Sequence, residues 1–121
     1  MISRTLVSVV EDDMSMRRMI VRIISSVGLT VEAFGSAEEL LDSGHIEESS
    51  YLLLDVRLPG IDAFELQDHL KARGCGVPII FMTTGADEVV RERAMQAGAA
   101  GFFNKPFCKA SFLEAVLAAG L

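Results

Sequence analysis

Cysteine occurs only twice in the 121 residues, too few for the disulfide framework of a small secreted domain, so a reducing, cytoplasmic setting is expected. Basic residues are also scarce: eleven Lys and Arg stand against seventeen Asp and Glu, a formal net charge of −6. Phosphate backbones are gripped by clustered Lys and Arg, so direct nucleic-acid binding by this domain is not expected. No apolar run approaches the roughly 18 residues of a membrane-crossing helix. Met1-Ile2-Ser3-Arg4 is too short to open a signal peptide, so no membrane association is expected. Internal repeats, low-complexity tracts and linkers are missing as well. Half of the residues are hydrophobic and 23% are charged, an ordinary globular composition. The length suits one core, and a single domain over residues 1–121 is the expectation.

What is present is an alternation of short apolar runs with longer amphipathic segments. The short runs are Thr5–Val10, Thr30–Phe34, Tyr51–Leu54, Pro78–Met82 and Gly101–Phe103, each of strand length and bounded by polar residues or glycine. Between them, Met16, Met19, Ile20, Ile23, Ile24 and Val27 form one apolar helical stripe, with Arg17, Arg18 and Arg22 facing away. Those arginines read as a solvated face, with a surface for a partner kinase as the alternative. Phe112, Leu113, Val116 and Leu117 repeat the stripe near the end. Gly28, Gly44, Gly74 and Gly98 stand where helices would stop. Ser36 with Glu39 and Asp62 with Glu65 read as capping boxes. Strands alternating with helices imply an α/β fold with a parallel sheet and right-handed crossovers. Runs one, three and four are continuously apolar, as central strands are, whereas Thr-Val-Glu-Ala-Phe alternates and suits an edge. The expected fold is a single doubly wound five-stranded parallel sheet, flavodoxin-like (βα)5, of order 2-1-3-4-5.

In such sheets ligands bind beyond the carboxyl ends of the strands. Glu11, Asp12 and Asp13 follow the first strand, Asp55 the third, Thr83 and Thr84 the fourth, and Asn104-Lys105-Pro106 the fifth. Carboxylates gathered at one place repel, and either protonate or hold a cation. Carboxylate oxygens at a partly hydrated site favour Mg²⁺, which takes phosphate as a further partner. Lys105 is a point-charge donor suited to a phosphoryl oxygen, and a threonine hydroxyl supplies another hydrogen bond. Asp55 is a candidate nucleophile toward phosphorus, with cationic groups neutralising the charge in transfer. There is no Ser-His-Asp or Cys-His set, no Walker glycine loop and no GxGxxG motif. His45 and His69 have no second ligand at metal spacing.

The segments Val10-Glu11-Asp12-Asp13, Leu54-Asp55-Val56-Arg57-Leu58-Pro59-Gly60-Ile61-Asp62, Phe81-Met82-Thr83 and Phe102-Phe103-Asn104-Lys105-Pro106-Phe107 together resemble the response-regulator receiver domain of two-component signalling. The resemblance covers nearly the whole chain, in order and at matching spacings. It implies that Asp55 is the phosphoacceptor, supplied by a histidine kinase or phosphotransfer protein. It makes Glu11 and Asp12 the acidic pair for Mg²⁺, joined by Asp55 and the Arg57 backbone carbonyl, and leaves Asp13 as the cap of the first helix. Thr83 is implied as the switch hydroxyl, Lys105 as the ion-pair partner, and Phe102 as the aromatic that turns inward. Lys105-Pro106 is implied to be cis. The face of helix four, strand five and helix five is then the one remodelled to control a partner or output domain, with a phosphorylation-dependent homodimer as one outcome. The chain is not expected to be an enzyme beyond self-phosphorylation from a donor and slow self-dephosphorylation.

This chain departs from the family's pattern at several positions. Glu11 stands where Asp is frequent, Ala63 where Gly is common, and Thr84 where Ala or Gly is usual. Arg57 and Gly85 occupy positions that tune the phosphoryl lifetime, and Cys108 replaces the usual acidic cap of helix five. Cys75 and Cys108 are expected at opposite ends of the sheet, out of bonding reach. A haloacid-dehalogenase-type phosphatase would want a second Asp where Arg57 stands, and a flavin phosphate would be repelled by the acids after strand one. A phosphorylation-independent adaptor of the same fold is the remaining alternative. The chain reads either as a stand-alone regulator acting by protein contact or as a receiver taken from a longer one.

Overall fold

The computed structural model describes residues 6–44, 46–58, 60–84 and 88–105, with Thr84, Asn104 and Lys105 described by their backbone alone. The elements run β1 (Leu6–Val10), α1 (Met14–Ser25), β2 (Thr30–Phe34), α2 (Ala37–Ser43), a 3-10 turn (Ile46–Glu48), β3 (Tyr51–Asp55), α3 (Ala63–Ala72), β4 (Ile79–Thr84), α4 (Glu88–Gln96) and β5 (Gly101–Lys105). The strands form one parallel sheet of order β2-β1-β3-β4-β5, the doubly wound arrangement expected. The helix expected around Phe112–Leu117, His45, Cys108 and the Lys105-Pro106 peptide lie outside the described residues.

Alternation along the strands sends side chains to two separate cores. Val10, Leu52, Leu54, Ile79 and Phe81 pack with Leu40, Phe64, Leu66, Leu70 and Ala94 from α2, α3 and α4. Val7, Val9, Tyr51, Leu53, Ile80 and Met82 pack with Ile20, Ile23 and Ile24 of α1. All five residues of β3 are buried, while β2 is half-exposed along its length, as an edge strand is. Three strands differ at their ends from the apolar runs. β4 starts at Ile79 rather than Pro78 and continues through Thr84, while β3 reaches Asp55 and β5 reaches Lys105. The ladder continues past the apolar residues because Asp55 pairs with Met82 and Thr84 with Lys105. Pro78 has no N–H to donate, yet its carbonyl accepts from Leu52 N at 2.9 Å.

The helix starts follow local chemistry. Asp13 caps α1 by accepting from Ser15 N at 3.0 Å. Asp62 and Glu65 make the full reciprocal box at α3. At α2 the box is only half made. Ser36 accepts from Glu39 N at 3.2 Å, but the Glu39 carboxylate reaches Gly35 N at 2.7 Å instead of Ser36 N. A Cβ on Gly35 would stand 3.0 Å from that carboxylate, so the glycine permits the detour. Gly28, Gly44, Gly74 and Gly98 all have positive φ just past helix ends, as expected. α1 stops at Ser25, and Val27, the last residue of the expected stripe, is exposed in the turn beyond it.

α4 is held differently from α1. α1 buries three isoleucines, each worth about 1.5–3 kcal/mol. α4 buries only Ala94, with Val90 half-buried. Val89 and Met95, two of its larger apolar residues, are 77% and 50% exposed. Two contacts from α3 supplement this small apolar footprint. Gln67 Nε2 donates to Ala97 O at 3.0 Å, and the Arg93 guanidinium lies 4.1 Å from the centroid of the Phe64 ring. Phe64 stacks in turn on Phe81 of β4, with centroids 5.1 Å apart.

Ser8, Ser49 and the Tyr51 hydroxyl are buried polar groups away from the carboxyl ends of the strands. Ser8, within the apolar run of β1, is satisfied by Ser49 through an Oγ–Oγ hydrogen bond of 2.6 Å. Among the described residues the buried Tyr51 hydroxyl has no hydrogen-bond partner, and burial pushes its phenol pKa up. An unpaired buried hydroxyl costs about 1–3 kcal/mol, so Tyr51→Phe is expected to stabilise the chain by about 1 kcal/mol in denaturant titrations. In the unfolded chain the phenol ionises near its ordinary value of about 10, whereas the folded chain retains that proton to higher pH. Folding stability is therefore expected to fall above pH about 10 in the wild type relative to Tyr51→Phe. Tyr51 is the only tyrosine and there is no tryptophan, so phenolate absorbance reads this group alone.

Candidate functional site

The register of the central strands brings the acids together. Val10 pairs with Leu54 in the parallel β1–β3 ladder, so Glu11 and Asp55 follow at the same level. One carboxylate oxygen from each of Glu11, Asp12 and Asp55 lies within 4.8 Å of the others. Glu11 is fully buried and Asp55 is 6% exposed, while Asp12 faces solvent. Asp13 stands apart from this group, its carboxylate turned to the start of α1. Of the acids after β1, the pair beside Asp55 is thus Glu11 and Asp12.

Backbone donors orient the carboxylates. Arg57 N donates to Asp55 Oδ1 at 3.0 Å, and Asp13 N donates to Glu11 Oε2 at 3.3 Å. Glu11 N donates to Phe34 O at 3.0 Å, tying the residue after β1 to the end of β2. Arg17 was expected to face solvent with Arg18 and Arg22, but its Nη1 turns back to donate to Glu11 O at 2.9 Å. Its position in the first turn of α1, six residues after the acid, was the signal for this reach. Glu38 of α2 is a second connection absent from the sequence pattern: its carboxylate accepts from Ile61 N at 3.4 Å, and a Cβ at Gly60 would collide with it.

Thr83 is buried at 1% exposure in β4, one position beyond Met82, which pairs with Asp55. The Lys105 backbone ends β5 at the same edge of the sheet, paired with Thr84, and its side chain lies outside the described residues. Phe102 and Phe103 are both half-buried and pack on opposite faces, Phe102 with the α2–α3–α4 core and Phe103 with the α1 core. The Arg57 side chain is exposed. Of the remaining candidates, His69 is exposed on α3 and Cys75 is a half-buried free thiol.

Two buried carboxylates beside a third make a strongly anionic pocket, which a hard cation with oxygen ligands suits. The exposed Asp12 leaves such a cation open to water. The donor set therefore fits Mg²⁺, which keeps waters and takes few protein carboxylates.

The family profile described as "Response regulator receiver domain" matches residues 7–117, and the chain belongs to that family, whose members are signalling modules of two-component systems. It is 46% identical over 117 residues to Nodulation protein W of Bradyrhizobium diazoefficiens, covering 97% of this chain and 52% of that protein. To Transcriptional regulatory protein FixJ of Azorhizobium caulinodans it is 38% identical, covering 93% of this chain and 53% of that protein. The chain thus spans about half the length of these relatives. Among solved structures, response regulator StyR superposes with a TM-score of 0.87 at 38% identity, over 98% of this chain and 60% of that one. FixJ-N superposes with a TM-score of 0.86 at 27% identity, over 98% and 95% of the two chains. No helix among the described residues is long and apolar enough to cross a membrane.

Exchanging one acid for an amide relieves repulsion and removes a cation ligand together. Asp12→Asn is expected to raise the melting temperature by about 2–5 °C without divalent cation. Millimolar Mg²⁺ is expected to raise the melting temperature of the wild type but not of this variant, as differential scanning fluorimetry will show.

Proposed function

We propose that residues 1–121 form one receiver domain that takes a phosphoryl group on Asp55 from a histidine kinase or phosphotransfer protein and thereby switches a partner or output domain. The observation that carries this reading is the placement of Asp55. It is a nearly buried carboxylate ending the central strand β3, with the carboxylates of Glu11 and Asp12 within 4.8 Å and the buried Thr83 on the neighbouring strand.

An Asp55 carboxylate oxygen attacks phosphorus and forms the P–O bond as the bond from phosphorus to the donor nitrogen breaks, the pair of electrons leaving with the imidazole. The Arg57 N–H holds the attacking carboxylate in orientation. Glu11, Asp12, Asp55 and the Arg57 carbonyl would hold Mg²⁺, which when bound would neutralise charge on the transferring group. Lys105 serves as a second cationic partner for the phosphoryl oxygens, and the Thr83 hydroxyl as a hydrogen-bond donor to them. Drawing Thr83 toward the phosphoryl group frees room for the Phe102 ring and remodels the face of α4, β5 and the segment after it. Phosphorylation acts by its different contacts with two states already in equilibrium.

The domain works in the cytoplasm through protein contacts, with a phosphorylation-dependent homodimer as one form of readout. Relatives named as transcriptional regulators support an output on gene expression. Net charge of −6 favours an output in which another domain, not this one, meets nucleic acid.

Incubation with a small phosphodonor and Mg²⁺ is expected to add one phosphoryl group by intact mass, and Asp55→Asn to add none. Absence of any addition to the wild type would instead favour a phosphorylation-independent adaptor.

A further inference from the structure

We propose that Arg93 is a positioning residue, a latch whose hold on Phe64 sets where α4 sits and so how readily Asp55 accepts a phosphoryl group; the second half rests on the function proposed above. α4 has little else to hold it, since Ala94 is its only fully buried residue among those described. The Arg93 guanidinium lies 4.1 Å from the Phe64 ring centroid, close enough for attraction between the cation and the ring's negative face. Among the described residues Arg93 has no carboxylate partner, whereas Arg73 pairs with Glu47 and Arg91 with Glu88. Its contact with the ring therefore has no ion pair competing for the guanidinium.

The latch lies at the end of a continuous stack. Phe64 stacks on Phe81 at 5.1 Å and an interplanar angle of 28°. Phe81 is in register with Leu54 on one side and with Phe102 on the other. That row, continued by Val10 and Phe34, shares one core face and runs directly beneath Glu11 and Asp55. Turning Phe102 inward repacks the row against Phe81, and the displacement reaches α4 through Phe64 and Arg93. Conversely, releasing Arg93 lowers the cost of the rearranged state. Arg93 is exposed, so the hold is weak enough to break: an exposed contact of this kind biases an equilibrium by about two- to fivefold.

The test uses the whole chain carrying Arg93→Ala, Arg93→Lys, Phe64→Leu or the Ala/Leu double substitution. Amide hydrogen exchange over residues 88–96 is measured without phosphodonor, with α1 as the internal reference. The initial rate of phosphoryl addition is measured by intact mass. Arg93→Ala is expected to speed α4 exchange about two- to fivefold with α1 unchanged, and to raise the rate of addition by a similar factor. Arg93→Lys retains the charge without the planar stack and is expected to recover part of both effects. The double substitution is expected to fall well short of the product of the two single effects, because both remove the same contact. Unchanged α4 exchange in Arg93→Ala overturns the latch, as does a double effect equal to the product of the singles. Faster exchange with an unchanged rate of addition overturns the coupling to Asp55. A wild type that takes no phosphoryl group overturns the reading of Asp55, while the exchange arm still decides the latch.

Discussion

Parallel pairing of β1 with β3 in the register Val10 to Leu54 is the constraint on which the site depends. The acids are eleven and fifty-five residues into the chain, and only this alignment lets both leave the sheet at one level. Side chains alternate along a strand, so a slip of one residue would turn every apolar side chain of β3 to the wrong core. Leu52 and Leu54 face α2, α3 and α4, while Tyr51 and Leu53 face α1, which makes the register expensive to change from either side. The two cores thus set the separation of the carboxylates as firmly as any contact between the acids themselves. That firmness is required, because Glu11 and Asp55 are buried like charges that would otherwise move apart.

Around this fixed floor the helices are anchored unequally. α1 sinks three isoleucines into one core and is fastened at its first turn by Asp13 and by the Arg17 bond to Glu11 O. The acids after β1 are therefore held by a firmly seated helix. α4 rests on one alanine, a half-buried valine and polar contacts from α3. Elements with little buried apolar surface open at low free energy, so α4 is easily displaced relative to α1. An acidic pocket at the end of a well-packed sheet, beside a lightly held helix, is the arrangement on which the switch proposed above would draw.

The core also accommodates polar groups that a strand could have done without. Ser8 and Ser49 satisfy each other, so burying both is inexpensive. Tyr51 is not satisfied in this way, and its hydroxyl subtracts from the stability that its ring contributes. The surrounding isoleucines, valines and leucines are numerous enough that one unpaired hydroxyl does not undo the packing.

Much of this was legible in the chain itself. Hydrophobic patterning placed the five strands and α1 and separated edge strand β2 from the buried strands, while capping boxes marked the starts of α2 and α3 and nothing announced the 3-10 turn at Ile46–Glu48. Asp13, Asp62 and the four glycines past helix ends followed from chemistry that acts within a few residues. The order of the polar residues at strand ends already pointed to one acidic site. What the chain could not disclose were contacts made across elements. Arg17 reads as one of three similar arginines until β1 and α1 are placed together, and Glu39 reads as half of a capping box until Gly35 is seen to admit it. Arg93 and Phe64 are 29 positions apart, and nothing in either segment announces the other. The strand ends at Asp55 and Thr84 likewise continue because a neighbour pairs with them, not because their residue types favour extended structure. Local propensity and periodicity act within a turn or a strand and so are written in the sequence. The approach of Glu11 and Asp12 to Asp55, the turn of Arg17 and the Arg93–Phe64 contact that helps seat α4 were decided by the tertiary structure, because each depends on distances between atoms of separate elements.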